Sequence, residues 1–206
     1  SLIAEPPATF EEMLTVATEL TAGDVQGFAY NLNEPFWGAG FYGAFGGWPL
    51  DENDQPTFDN QAFIDYLTFV SSLKTDGVVP AECDYACADT LMKEGKAAMI
   101  INGDWSLGDY TTALGENLGV APVPTINGNP YTEMTAGKYF MVSKAVLDDA
   151  ARQEAVTAFI TYMTSAEVQK KWLDEYKRLP SNAEVAKDPS IASDPILAGS
   201  MADLAV

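Results

Sequence analysis

One short segment constrains the fold of this chain more than any other, because residues 97–101 are apolar without interruption. Such a run is typical of a β-strand that is buried on both faces, as the strands of parallel sheets are. The stretches around it have the 3.6-residue apolar spacing of helices instead. Short apolar strands that alternate with helices predict an α/β protein.

Two amphipathic helices are predicted in the first half of the chain from their caps and from the glycines that follow them. Thr9 and Glu12 have the spacing of a capping box, and Gly23 is expected to end that helix. Asp59 is expected to cap the second helix, which ends before Gly77. The apolar positions that recur at helical spacing in these two segments are Phe10, Met13, Leu14, Ala17, Leu20, Phe63, Leu67, Val70 and Leu73.

Shorter elements are predicted between and after these helices. Apolar runs predict strands over 27–30, 118–123 and 139–142. A short helix is predicted over 88–94, and Gly95 is expected to stop it.

The last part of the chain is predicted to be helical. One helix is expected from Leu147 onward, and a second over 165–172, before a loop that contains Pro180. The first of these helices has an apolar stripe that consists of Val156, Phe159, Ile160 and Met163.

The charge and composition of the chain exclude several classes of partner and site. Asp and Glu total 30 against 11 Lys and Arg, which gives a formal net charge of −19 at pH 7. That charge repels phosphate backbones and anionic lipid headgroups, so nucleic acid and membrane surfaces are poor partners. The sequence has no histidine, which excludes Ser-His-Asp and Cys-His nucleophile systems and histidine-ligated metal sites. We expect neither a metal ion nor another cofactor.

The two cysteines, Cys83 and Cys87, are four residues apart. Without histidine or a second cysteine pair they fall short of a zinc site. Two interpretations stay open at this point. The pair forms a local disulfide, which would imply an oxidising compartment, or it consists of two buried free thiols.

Two motif matches fail on physical grounds. Residues 38–43 match the letters of the dinucleotide-binding fingerprint, but the bulky and partly anionic residues 34–37 precede them where a diphosphate needs open space. The acidic segment that starts at Asp51 has Pro56 and Ala62 where a calcium loop needs glycine and glutamate. We therefore expect a solvated turn there.

A concentration of aromatic residues beside the isolated acids Glu34 and Asp104 points to a ligand. The aromatics are Phe36, Trp37, Phe41, Tyr42, Phe45, Trp48, Tyr85 and Trp105. A sugar ring presents an apolar face that an aromatic ring covers, and hydroxyls that a carboxylate binds. The alternative is that these rings belong to the core, which we favour for Phe41, Phe45 and Trp48. Phe36, Trp37 and Trp105 adjoin polar turn residues, and both interpretations stay open for them.

Four stretches of the chain resemble family 1 extracellular solute-binding proteins, the maltose-binding-protein family of ABC-importer receptors. They are residues 6–12, residues 31–37 with an end at Gly46 and Gly47, residues 84–105, and residues 119–124 together with Ala136 and Gly137. The third stretch is the most specific. The resemblance spans nearly all of the 206 residues. It implies an α/β, periplasmic-binding-protein-like (class II) fold of two lobes, represented here mainly by the carboxyl-terminal lobe.

The resemblance also implies a function and a site. The chain would belong to the extracytoplasmic substrate-binding component of an ABC sugar importer, which binds an oligosaccharide and hands it to membrane permease subunits. Such a receptor is not an enzyme, and it lies in the periplasm or is a lipoprotein on the outer face of the cytoplasmic membrane. The residues that would contact the sugar are Glu34, Phe36, Trp37, Tyr85, Asp104 and Trp105. Glu34 and Asp104 would bond hydroxyls, and Trp105 would stack under a sugar ring.

Family order predicts how the chain divides. Residues 1–140 would form most of the carboxyl-terminal lobe, 141–187 would pack on the amino-terminal lobe, and 188–206 would return to the first lobe. On this basis we expect a piece of a longer protein, whose exposed apolar stripe after Leu147 allows self-association.

The chain departs from the family pattern at two places. Ala39 stands where the maltose receptor has a further aromatic residue, which indicates a differently shaped ligand. Cysteines that flank Tyr85 are not a general family feature, and we predict that Cys83 and Cys87 form a disulfide that holds this ring in place. Two alternative functions stay open. They are a receptor of the same fold for a non-sugar ligand such as a polyamine, and a glycoside hydrolase that uses Glu34 and Asp104.

Overall fold

The computed structural model describes residues 3–132, 134 and 137–203. The α-helices in this part of the chain are α1 Phe10–Leu20, α2 Pro35–Ala44, α3 Gln61–Thr75, α4 Tyr85–Lys93, α5 Leu107–Leu114, α6 Ala150–Met163, α7 Ala166–Tyr176, α8 Pro189–Ser193 and α9 Pro195–Asp203. The strands are β1 Gln26–Ala29 and β2 Ala97–Ile100. This order of elements confirms the α/β prediction. Ala136, from the fourth family-like stretch, and residues 204–206 lie outside the described residues.

The two strands pair in parallel, with Phe28 opposite Met99. The prediction of a strand at 97–101 is confirmed, but burial on both faces is wrong for most of it. Ala97 is buried, whereas the next three residues are half-buried. In the described sheet β2 has one ladder partner, so its side chains have strand neighbours on one side only and are less buried than those of a central strand.

Helix α1 begins where the capping box predicts it. The Glu12 backbone N–H donates to Thr9 Oγ1 over 3.2 Å, and the Thr9 backbone N–H donates to Glu12 Oε2 over 3.3 Å. The helix packs directly on β1, because a Cβ atom on Gly27 would lie 1.8 Å from the Ala17 carbonyl oxygen. Glycine is therefore needed at position 27 for this close approach.

Two helix starts differ from the prediction by a few residues. Asn60, not Asp59, caps α3, since its side-chain oxygen accepts the Phe63 backbone N–H over 2.9 Å. Helix α4 begins at Tyr85 rather than at residue 88, because Asp84 accepts the Cys87 backbone N–H and caps the helix there.

The glycines of the rejected dinucleotide motif lie inside α2 and allow it to pack closely. A Cβ atom on Gly38 would lie 1.9 Å from the Tyr66 hydroxyl, and one on Gly40 would lie 2.1 Å from the Tyr131 ring. The spacing of these glycines therefore serves packing within the chain.

The main core is rich in aromatic and aliphatic side chains from α1, β1 and α2. Its buried members are Phe10, Met13, Ala17, Phe28, Tyr30, Trp37, Phe41, Ala44, Leu73, Val79 and Ile126. Phe41 is fully buried, as predicted, and Phe45 packs against this core. The core assignment of Trp48 is wrong, because 40% of its surface is exposed beside the polar turn that follows. The predicted stripe of α3 is buried at Leu73 but 47% exposed at Leu67.

Two predicted strands are absent from the described residues. Segments 118–123 and 139–142 are both irregular. Tyr139 and Met141 are 80% and 91% exposed. A strand needs a neighbour for its backbone groups, and no described strand lies beside either segment.

The carboxyl-terminal helices form a small core of their own. Ser165 caps α7, and the helix continues past Trp172 to Tyr176. The buried residues of this core are Leu173, Val185, Ile191 and Leu197. Helix α7 contacts α5, which links this region to the main core. None of the helices in the described segments has the length and apolar character that would let it cross a membrane.

Candidate functional site

The predicted site residues converge at one edge of the sheet. Strand β1 leads into the segment with Glu34 and Phe36, and β2 leads into Asp104 and Trp105. Because the strands are parallel, both segments leave the sheet at the same edge, where open α/β sheets bind ligands. The first turn of α4, with Tyr85, reaches the same place.

Three of the predicted aromatic residues contact a fourth, Trp37. The Tyr85 ring stacks on the Trp37 indole with centroids 5.7 Å apart and planes 21° apart. The Trp105 ring meets Trp37 edge to face at 5.9 Å, and the Phe36 ring does so at 5.3 Å. The Trp105 indole N–H also donates to the Tyr85 hydroxyl over 3.0 Å. We call Phe36, Trp37, Tyr85 and Trp105 the aromatic cluster.

The members of the aromatic cluster differ in exposure. Phe36 is 45% exposed, and Tyr85 and Trp105 are half-buried. Trp37 is only 8% exposed and packs against the main core. Three rings therefore keep exposed surface, while Trp37 contacts all three of them and packs against the main core.

The two predicted acids lie beside the cluster with their carboxylates uncommitted. Glu34 is exposed and occupies the N-cap position of α2 without making a capping hydrogen bond. Asp104 is half-buried at the start of a 3-10 helix over Asp104–Ser106. Neither side chain has a hydrogen bond or an ion pair to another described residue. Both carboxylates can therefore accept hydrogen bonds from a ligand.

A disulfide joins Cys83 and Cys87 on either side of Tyr85, with Cα atoms 5.2 Å apart. Cys83 is buried, in a small cluster with Ala29, Ala88 and Ala97. The bond spans the first turn of α4, where Tyr85 is the first helical residue. It ties the start of this helix to the sheet.

Two tyrosines that no sequence pattern indicates, the buried Tyr30 and the half-buried Tyr131, fix the backbone of Trp37. The Tyr30 hydroxyl donates to the Trp37 carbonyl oxygen, and the Tyr131 hydroxyl donates to the same atom over 3.2 Å. Burial raises the pKa of Tyr30 well above its usual value, with smaller contributions from Tyr131 and Tyr66, so Tyr30 stays protonated and donates. Tyr30 lies at the end of a predicted strand, and this position is only a weak indication that it lies near the site. Nothing local connects Tyr131, about a hundred residues further on, to this site.

Gly103 sets the position of the Trp105 ring. A Cβ atom at residue 103 would lie 2.2 Å from Trp105 Cζ3, so the indole lies flat against the backbone of this turn. Glycine is required for that contact.

The described residues contain no group of three or more Cys, Asp or Glu side chains that is arranged to hold a metal ion. The acidic loop after Trp48 is instead held by hydrogen bonds between its own residues. The Asp51 carboxylate accepts the backbone N–H groups of Asn53 and Gln55 over 2.8 and 2.9 Å, and these bonds lower its pKa.

Comparison with known proteins places this chain in a family. The family model described as "Bacterial extracellular solute-binding protein" matches residues 1–199. The maltotriose-binding protein of Pyrococcus abyssi is 29% identical over 204 residues, which cover 96% of this chain and 44% of that protein.

Two solved structures have the same fold. The maltose/maltodextrin-binding domain MalE from Bdellovibrio bacteriovorus, bound to maltotriose, superposes with a TM-score of 0.87 at 31% identity and covers 100% of this chain and 56% of that one. The Thermus thermophilus maltotriose-binding protein, bound with maltotriose, gives a TM-score of 0.79 at 29% identity over 99% of this chain and 55% of that one. The chain thus spans about half the length of the proteins that it matches. It belongs to the bacterial extracellular solute-binding protein family.

Proposed function

We propose that this chain is part of the extracytoplasmic substrate-binding component of an ABC sugar importer, and that it binds a maltodextrin-like oligosaccharide. The observation that carries the proposal is the aromatic cluster with the uncommitted carboxylates of Glu34 and Asp104 beside it. Exposed aromatic faces match the apolar faces of sugar rings, and carboxylates match their hydroxyls. Relatives whose names or structures include maltotriose support this class of ligand.

Each residue of the site has a separate role in the proposal. Trp105 stacks under one sugar ring, and Phe36 and Tyr85 cover the neighbouring apolar surface. Glu34 and Asp104 accept hydrogen bonds from hydroxyl groups. Trp37 is the support rather than a contact, because its indole is buried beneath the other rings.

The disulfide contributes to the site through Tyr85. Helix α4 begins at this residue, and the bond between Cys83 and Cys87 closes around it. We infer that the covalent link restricts the Tyr85 ring to the orientation in which it stacks on Trp37. Preorganisation of this kind lowers the entropy that binding costs.

Binding is proposed to occur by closure of two lobes. In this account residues 1–140 form most of the carboxyl-terminal lobe, 141–187 pack on the amino-terminal lobe, and 188–206 return to the first lobe. The ligand contacts both lobes and thereby stabilises the closed state, so one lobe alone binds weakly. The apolar side chains that are exposed around Phe159 fit a surface that another part of the protein covers.

The location and the partner of the protein follow from the proposed function. The family consists of extracellular solute-binding proteins, so we place the protein outside the cytoplasm. Its partner is the membrane permease of the importer, to which it delivers the sugar. The proposal assigns no catalysis, and Glu34 and Asp104 bind the ligand without reacting with it.

The test is a calorimetric titration of the full-length protein with maltodextrins, cello-, xylo- and manno-oligosaccharides and a polyamine. Saturable binding of the maltodextrin series, with no release of reducing ends after long incubation, is the expected result. Binding of the polyamine alone would overturn the proposed ligand class. Release of reducing ends would replace the receptor by a glycoside hydrolase.

Self-association of the 206-residue chain is a second consequence of the exposed apolar surface. Phe159 and Tyr162 on α6 are 53% and 57% exposed. Sedimentation velocity at increasing concentration is expected to give a growing dimer fraction that Phe159→Ser reduces. A monomer at every concentration would count against this expectation.

A further inference from the structure

We infer that one water molecule binds between the side chains of Asn31 and Trp37, in a crevice beneath the aromatic cluster, and holds the Trp37 indole in place. The existence of this site does not depend on which ligand the cleft takes.

The first observation is a pair of buried donors. Asn31 follows β1 and is 4% exposed, and Trp37 is 8% exposed. The Asn31 Nδ2 and Trp37 Nε1 atoms are both buried, and neither has a hydrogen-bond partner among the described residues. A buried N–H group without an acceptor is unfavourable, so each of these donors needs one.

The second observation is a crevice that both residues line. It lies at the carboxyl ends of β1 and β2, and Tyr85, Ala88, Ile101 and Asn102 contribute to its walls. Its volume is about 10 Å³. One water molecule needs roughly 10–15 Å³, so the crevice matches a single water and is too small for a sugar ring.

The chemistry of the walls also selects water. The two unpaired groups are N–H donors, which exclude a metal cation and require an acceptor. The Asn102 side-chain oxygen accepts one hydrogen bond, from the Gly103 backbone N–H over 2.8 Å, and keeps a second lone pair. Water accepts from two donors and donates in return, whereas a chloride ion only accepts. The net charge of −19 further disfavours an anion.

The consequence concerns the orientation of Trp37. Tyr30 and Tyr131 fix its backbone carbonyl, but no described side chain holds the N–H edge of its ring. A water shared with Asn31 supplies that contact. Asn31 is thereby a positioning residue, which acts on the aromatic cluster through the water. Its side-chain oxygen already accepts the Asn33 backbone N–H over 2.9 Å, so the amide cannot rotate freely.

The test uses the full-length protein without ligand. In solution, the indole N–H resonance of Trp37, assigned by its loss in Trp37→Phe, is expected to show magnetisation transfer from a long-lived water. That transfer is expected to disappear in Asn31→Leu and to persist in Asn33→Leu, which changes an exposed neighbour. Absence of the transfer in the unaltered protein would overturn the inference, whether or not the variants fold.

A crystal structure at a resolution that resolves waters gives an independent readout. The expected result is one peak within hydrogen-bond distance of Asn31 Nδ2 and Trp37 Nε1, present with and without maltotriose. An anomalous signal typical of chloride would contradict the inference. A sugar hydroxyl in the crevice, or an empty crevice, would also contradict it. None of these outcomes depends on the measured affinity for any sugar.

Discussion

The region around the sheet and helix α6 form an instructive contrast. Helix α1 is capped by Thr9 and buries Phe10, Met13 and Ala17. Helix α6 is capped as well, since the Asp149 carboxylate accepts the Arg152 backbone N–H over 3.1 Å, and it is longer. Yet none of its residues is buried. Both helices have a capped start, but the apolar residues of α1 lie on one face far more clearly than those of α6, and the packing of the two helices differs accordingly.

The contrast separates what forms a helix from what stabilises it. A capped start is common to both segments, but most helical stability in proteins comes from packing of the apolar face. Helix α1 packs on β1, whereas the Phe159 ring of α6 meets Phe140 at 5.8 Å on an exposed surface. The first region buries its apolar side chains against other described residues, whereas the second leaves Phe159 and Tyr162 exposed.

The largest effect is expected from removing an aromatic ring in each region. Phe41→Ala deletes a fully buried ring and should lower the free energy of unfolding by about 3–5 kcal/mol. Phe159→Ala removes a ring that is 53% exposed and should lower it by less than about 1 kcal/mol in the 206-residue chain. Urea unfolding followed by tryptophan fluorescence measures both values. Equal losses would remove the distinction between the two regions.

Removal of the disulfide tests how much the bond contributes to the stability of the region around the sheet and to the candidate site. The bond closes a loop of about five residues, which corresponds to about 2 kcal/mol of stability in the chain-entropy model. Cys83→Ser with Cys87→Ser should therefore lower the melting temperature and weaken maltotriose binding, because Tyr85 is less restricted. Thiol labelling of the unaltered protein without reductant is the control, and we expect neither cysteine to react. Reaction of both would show that the bond does not form.

A single methyl group should disturb the site without disturbing the fold. In Gly103→Ala the new Cβ atom would lie 2.2 Å from the Trp105 ring, so the indole must move. We expect about tenfold weaker maltotriose binding, which is about 1.4 kcal/mol. Gly119→Ala is the matched control, since nothing lies within 4 Å of its Cβ position. Loss of binding in both variants would mean that the Trp105 contact is not the cause.

The smallest effect concerns the pH dependence of the carboxyl-terminal core. Burial alone would raise the pKa of Asp194, but hydrogen bonds from Lys177 and from the backbone N–H groups of Leu197 and Ile196 lower it below its usual value of 3.8. Asp194 therefore stabilises the fold above about pH 4, and this contribution is lost as the pH falls through the lowered pKa.

Melting curves from pH 7 to pH 3 measure this contribution. The unaltered protein should be more stable than Asp194→Asn at pH 7 by at most about 1 kcal/mol. The difference should shrink as the pH falls below about 4, because Asp194 then begins to lose its charge. A difference that is independent of pH would show that the Lys177–Asp194 ion pair is not its source.

The sequence predicts best those features that depend on nearby residues. The capping box of Thr9 and Glu12 and the strand at 97–100 follow from short patterns, whereas the choice of the residues in the aromatic cluster depends on the family resemblance. The capping residue of α3 was misplaced by one position because Asp59 and Asn60 are both good caps, and only the hydrogen bond to Phe63 decides between them.

The features that the sequence did not predict depend on distant contacts. Segments 118–123 and 139–142 have strand-like composition but do not form strands in the described part of the chain. The burial of Trp37 follows from its packing against residues far along the chain, including Tyr131. The sequence pattern around Trp37 does not predict those contacts.

The central claim is that the aromatic cluster binds an oligosaccharide. The most direct measurement is a calorimetric titration of the full-length protein with maltotriose, in parallel for the unaltered protein, Trp105→Ala and Trp48→Ala. Trp105 belongs to the cluster, and Trp48 is an exposed tryptophan outside it. We predict that Trp105→Ala weakens binding by about a hundredfold, as loss of a central aromatic contact does, while Trp48→Ala binds like the unaltered protein. Unchanged binding in Trp105→Ala would contradict the account.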